Sequence, residues 1–122
     1  IKVLGQLENP EWYKLNQKSQ ELKKVLLQLA SEYLFNARRK NHEPVDPVAR
    51  FHLGNGARLE RINWLGDISK TGIEQSAGMM VNYLYDLDQI EKNHEAYINE
   101  QKVIASNEIR KLANRKLLQK AA

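Results

Sequence analysis

Cysteine is absent from this 122-residue chain, so neither a disulfide framework nor a thiolate metal site nor a cysteine nucleophile can be built from it. Long apolar runs are missing too. The longest are a few residues, against the roughly 20 that a membrane-crossing helix requires. No charged leader precedes an apolar stretch and a cleavage signal, so no targeting segment is visible. The chain opens instead on Ile1 and the apolar IKVLGQ, and it is expected to be a piece of a longer, water-soluble protein. No GxGxxG follows a strand pattern and no P-loop occurs, which removes the common nucleotide-binding fingerprints. The three histidines, His42, His52 and His94, have neither i, i+4 nor HExxH spacing, so no metal site is expected. The excess of one sign of charge is small as well. A net +4 fits a solvated basic surface, an anionic cofactor or nucleic acid without selecting among them.

What is present is organised by periodicity. Leu22, Val25, Leu26, Leu29, Ala30 and Tyr33 recur at three and four residues, which predicts a helix over residues 15–37. Asn9-Pro10 marks a short helix before it. A polar loop, RRKNHEPV, fills residues 38–45, and Asp46-Pro47 then signals a new helix start. Gly54-Asn55-Gly56 predicts an early stop through left-handed backbone. Residues 57–65 read as a strand, residues 69–77 as one or two helical turns, and residues 78–87, GMMVNYLYDL, as the best strand in the chain. Period two places Met79, Val81, Tyr83 and Tyr85 on one face of it. A single helix is expected over residues 95–118, with Ile98, Ala105, Ile109 and Leu112 on one side and Arg110, Lys111, Arg115, Lys116 and Lys120 crowding its end. The fold class is α+β.

Two side chains stand out chemically. Spacing puts His52 one turn beyond Val48 and beside Phe51, at the rim of the short helix's buried face. A ring in that place is either structural, with both nitrogens hydrogen-bonded, or a candidate acid or base. Tyr85 has the same two readings, a core tyrosine with a satisfied hydroxyl or a site residue.

DPVARFHLGNGARLERINW, residues 46–64, continued by LGDISKTGIEQSAGMMVNYLYDL, resembles the C-terminal part of malonyl-CoA decarboxylases. The likeness is strong over residues 46–87, and the flanking helices, including SEYLFNARRKNH, match in pattern. It implies the C-terminal part of a GCN5-type acetyltransferase-like (GNAT-like) domain, with helices packed on a small sheet. Residues 1–45 are then a helical segment leading into the motif, and residues 46–122 the C-terminal part of the catalytic domain. Carried over position by position, the family's catalytic histidine falls on His52 and the tyrosine of its NYxY segment on Tyr85.

The implied chemistry is loss of carbon dioxide from malonyl-CoA to give acetyl-CoA, with an enolate that needs hydrogen-bond donors at oxygen and a proton at carbon. His52 would donate that proton or hold the departing carboxylate. No cofactor beyond the substrate is implied. The family's catalytic serine and coenzyme A-binding loop lie upstream, and Ser19, Ser31, Ser69, Ser76 and Ser106 match neither. The implied partners are malonyl-CoA and the missing N-terminal part of the same enzyme, with room for a homo-oligomer and no role for nucleic acid or membrane. Because the chain ends Lys120-Ala121-Ala122 and not in a peroxisomal Ser-Lys-Leu, a bacterial-type cytoplasmic enzyme is expected. The alternatives are an acyltransferase on the same fold and a non-catalytic module binding through the basic segment 110–120.

Overall fold

The structure, a computed structural model, describes residue 5 and residues 7–114. A 3₁₀ turn, Trp12–Lys14, leads into α1 (Asn16–Asn36). After a loop come α2 (Pro47–Gly54), β1 (Arg58–Asn63), α3 (Lys70–Ser76), β2 (Met80–Leu84), α4 (Ile90–Glu100) and α5 (Asn107–Ala113). The chain is α+β. β1 and β2 form an antiparallel two-stranded sheet, and α1 lies along α5. The main core gathers Leu34, Ala49, Leu53, Leu59, Tyr97 and Ile109. A second cluster holds Trp12 against Leu22 and Leu26 of α1.

β1 is central, because its second edge is also used. The Leu59 N–H donates to the Ile104 carbonyl (2.8 Å) and the Ser106 N–H donates to the Leu59 carbonyl (2.9 Å). Leu59 therefore turns its backbone groups away from β2, which makes its partner Tyr83 a non-hydrogen-bonded pair. The backbone groups of Tyr83, and of Val81 two residues earlier, face outward from the sheet. Among the described residues no further strand takes up that edge.

Strict alternation would place Leu59 and Ile62 on opposite faces of β1. Both are in the core. The register shift between Leu59 and Arg61 explains it, since one extra residue inverts the facing of everything beyond it.

Four expectations need correction. The single helix over residues 95–118 is two helices. Gln101 adopts a left-handed conformation (φ 51°) that closes α4, residues 102–106 run out to pair with β1, and Ser106 caps α5 by accepting from the Ile109 N–H (3.3 Å). Ile98 is accordingly exposed and Ala105 lies outside any helix. Residues 115–122, with Arg115, Lys116 and Lys120, lie outside the described residues. On α2 the buried residues are Ala49 and Leu53, whereas Val48 (56% exposed) and Phe51 (65% exposed) face outward. Of Gly54-Asn55-Gly56 only Gly56 has a positive φ. Asn9 makes an Asx turn instead of capping a regular helix, its Oδ1 accepting from the Glu11 N–H (3.0 Å).

Candidate active site

α2 is short because both its ends are specified. Asp46 Oδ2 accepts the Ala49 N–H (2.9 Å), satisfying an otherwise free donor of the first turn, and Pro47 occupies the first helical position. At the other end Gly56 (φ 90°) turns the chain straight into β1. The last turn is seated on α4. Asn93 Nδ2 donates to the Gly56 carbonyl (3.2 Å), and His94 Nδ1 meets the Gly54 carbonyl (2.7 Å). His52, half-buried in that last turn, is thereby held over the sheet.

The sheet meets it with two tyrosines. Tyr85, just beyond the end of β2, places its hydroxyl 2.6 Å from His52 Nδ1. The two residues expected to share a site are thus in direct contact. Tyr83, two residues earlier and on the same face, stacks on the imidazole with centroids 4.4 Å apart and planes inclined by 19°. Phe51 touches the ring edge-on at 5.2 Å. Two proton arrangements satisfy the His52–Tyr85 contact. Either Tyr85 donates to an unprotonated Nδ1 and the other ring nitrogen carries the proton, or Nδ1–H donates to the phenolic oxygen.

His52 and Tyr83 line a cleft of about 510 Å³ together with Asp46, Val48, Thr71 and Met79. Tyr85, 40% exposed, meets the ring from beside that cleft. Burial, and next the Asp46 carboxylate, push the Tyr83 hydroxyl up to about 12. It therefore stays a neutral donor throughout the physiological range. Asp46 thus has two roles, helix cap and neighbour of Tyr83, of which the sequence pattern carried only the first.

Tyr83 was on the correct face in the sequence pattern but had no signal separating it from a packing residue. Its shared parity with Tyr85 was the available clue. The other histidines are elsewhere, and among the described residues no group of three or more potential ligands is placed to hold a metal ion. Ser76 borders the same cleft, but its hydroxyl donates to the Gly72 carbonyl (3.1 Å). Ser69 and Ser106 are committed to capping helices. No helix among the described residues is long and apolar enough to cross a membrane.

Comparison with known proteins gives a consistent picture. The family model for the malonyl-CoA decarboxylase C-terminal domain matches residues 1–122. The chain is 42% identical over 103 residues to the mitochondrial malonyl-CoA decarboxylase of Anser anser anser, covering 84% of this chain and 20% of that protein. Against the Rattus norvegicus mitochondrial enzyme it is 38% identical over 105 residues, covering 86% of this chain and 21% of that protein. Among solved structures, malonyl-CoA decarboxylase from Rhodopseudomonas palustris superposes with a TM-score of 0.86 at 50% identity, over 90% of this chain and 25% of that one. The Agrobacterium vitis enzyme gives 0.86 at 46% identity, over 93% and 28%. The chain therefore spans about a fifth of the curated relatives' length.

Proposed function

Because the chain belongs to the malonyl-CoA decarboxylase C-terminal domain family, we propose that it is the part of such an enzyme that supplies His52 to the decarboxylation of malonyl-CoA. The observation that carries this is the 2.6 Å contact between His52 Nδ1 and the Tyr85 hydroxyl. That contact occupies one ring nitrogen and leaves the other for substrate. In the reaction the bond between the carboxylate and the methylene carbon breaks, its electron pair becomes the enolate of the thioester, and carbon dioxide leaves. Protonation of the methylene carbon by the second nitrogen of a doubly protonated His52, whose Nδ1–H donates to the Tyr85 oxygen, completes acetyl-CoA and leaves a neutral imidazole.

On this reading residues 46–122 belong to the acetyltransferase-like catalytic domain and residues 1–45 lead into it. The catalytic serine and the coenzyme A-binding loop come from the remainder of the enzyme. The bacterial enzymes matched at 46% and 50% identity favour a cytoplasmic enzyme over a mitochondrial one.

The test is acetyl-CoA release from malonyl-CoA without any acceptor, which also separates decarboxylation from acyl transfer. The intact enzyme should be active and the 122-residue chain alone inactive; acetyl-CoA made by the chain alone would contradict the division of labour. Tyr85→Phe in the intact enzyme should lower kcat by about tenfold, less than loss of His52, because orienting an acid is worth less than the proton transfer itself. A Tyr85→Phe enzyme as impaired as one without His52 would instead make the phenol the acid.

A further inference from the structure

We propose that Tyr83 is a positioning residue for His52, its ring face fixing the plane of the imidazole so that one nitrogen meets Tyr85 while the other is turned to the cleft. The inference rests on the reading of His52 given above and goes beyond the His52–Tyr85 pair. A single hydrogen bond fixes the distance of one ring atom but leaves the ring free to pivot about it. A parallel contact fixes the plane. His52 has both, the 2.6 Å contact at Nδ1 and the face of Tyr83 at 4.4 Å and 19°.

Tyr83 is suited to serve as the platform. It is half-buried, it sits inside β2, and its cross-strand partner Leu59 is fully buried in the core. Burial keeps its hydroxyl neutral across the physiological range, so the platform brings no charge of its own beside the ring. Phe51, the other aromatic contact, is 65% exposed and touches by an edge. It cannot hold the plane in the same way. The Tyr83 pair is stacked and near-parallel, and small errors in the placement of an acid are costly, about 100-fold for a misplacement of about 1 Å.

The experiment measures kcat and KM for malonyl-CoA in the intact enzyme carrying Tyr83→Phe or Tyr83→Leu, each alone and combined with His52→Ala. Phe keeps the flat face and should stay within about twofold of the parent. Leu keeps bulk without the face and should lower kcat by about tenfold with KM little changed. In the His52→Ala background Leu should have no further effect, because the ring it orients is gone. Equal losses for Phe and Leu would overturn the ring-face account in favour of the hydroxyl. A Leu cost that persists without His52 would reduce Tyr83 to a packing residue. Full turnover in Tyr83→Leu, with His52→Ala still impaired, overturns this inference alone, whereas full turnover in His52→Ala overturns the reading beneath it. If Tyr83→Leu does not fold, Tyr83→His and Tyr83→Met pose the same contrast of flat against flexible side chain, with His expected to retain the greater kcat.

Discussion

Replacing His52 by alanine in the intact enzyme is expected to lower kcat for acetyl-CoA formation by at least about 100-fold, the lower end of what a positioned acid or base contributes. The loss should appear in kcat and kcat/KM alike, since a proton delivered only as the carbon becomes basic is an interaction of the transition state. Stability should hardly change. The core side of α2 is Ala49 and Leu53, both caps of the helix are backbone or Asp46 contacts, and half-buried His52 makes its hydrogen bond to a side chain that is itself 40% exposed. Melting of the variant should therefore lie within the small range typical of non-core substitutions, about 0.5 kcal/mol. Activity within about threefold of the parent, measured on enzyme shown to be folded, would remove His52 from the chemistry.

Two glycines of the same turn should respond to alanine in opposite directions. A Cβ on Gly56 would stand 2.4 Å from the Ile90 carbonyl oxygen and 2.9 Å from the Ile90 side chain, and the residue has φ 90°. Backbone strain and a clash with backbone combine there, so Gly56→Ala should destabilise by about 3 kcal/mol. The shift would push α4 off the end of α2 and disturb the Asn93 contact to the Gly56 carbonyl. Gly54 lies within α2, and a Cβ on it would meet the Tyr97 ring at 3.6 Å, an ordinary packing distance. Gly54→Ala should stabilise by up to about 1 kcal/mol, the helix-interior difference between the two residues, since Gly54 is the last residue of α2. Urea midpoints of the two variants check the pair; a Gly56→Ala protein as stable as the parent would mean that the turn relaxes freely.

Much of the frame around His52 was legible because its signals are local. Asp46-Pro47 can hardly mean anything but a helix start, the glycine-rich turn ends that helix, and the parity of Met79, Val81, Tyr83 and Tyr85 follows from strand geometry alone. The family likeness named His52 and Tyr85, and the pairing of β1 with β2 brings the two side chains into contact. What escaped were features decided by tertiary pairing. The bulge at Glu60 leaves no mark in the RLERIN segment, yet it turns both Leu59 and Ile62 inward. The break at Gln101 has no glycine or proline to announce it, and only Val103-Ile104 and the cap-type Ser106 hint that the chain leaves the helix to reach Leu59. Val48 and Phe51 fit an apolar stripe by spacing. Their exposure depends on what α2 packs against, which spacing does not encode.

The outward edge of β2 has a consequence for handling the protein. Natural sheets guard a free edge with proline, with charge or with a strand too short to template another chain. MVNYL contains neither proline nor charge, and exposed Met80 and Leu84 flank the outward backbone groups of Val81 and Tyr83. An extended segment laid alongside would find hydrogen bonds waiting and an apolar border to cover. Produced as this chain alone, the protein should therefore self-associate reversibly through that edge as concentration rises. Sedimentation at increasing concentration would show it, and Asn82→Lys, a charge placed on an exposed side chain of the edge, should return the chain to monomer; a chain monomeric at every concentration would mean that this border is already closed.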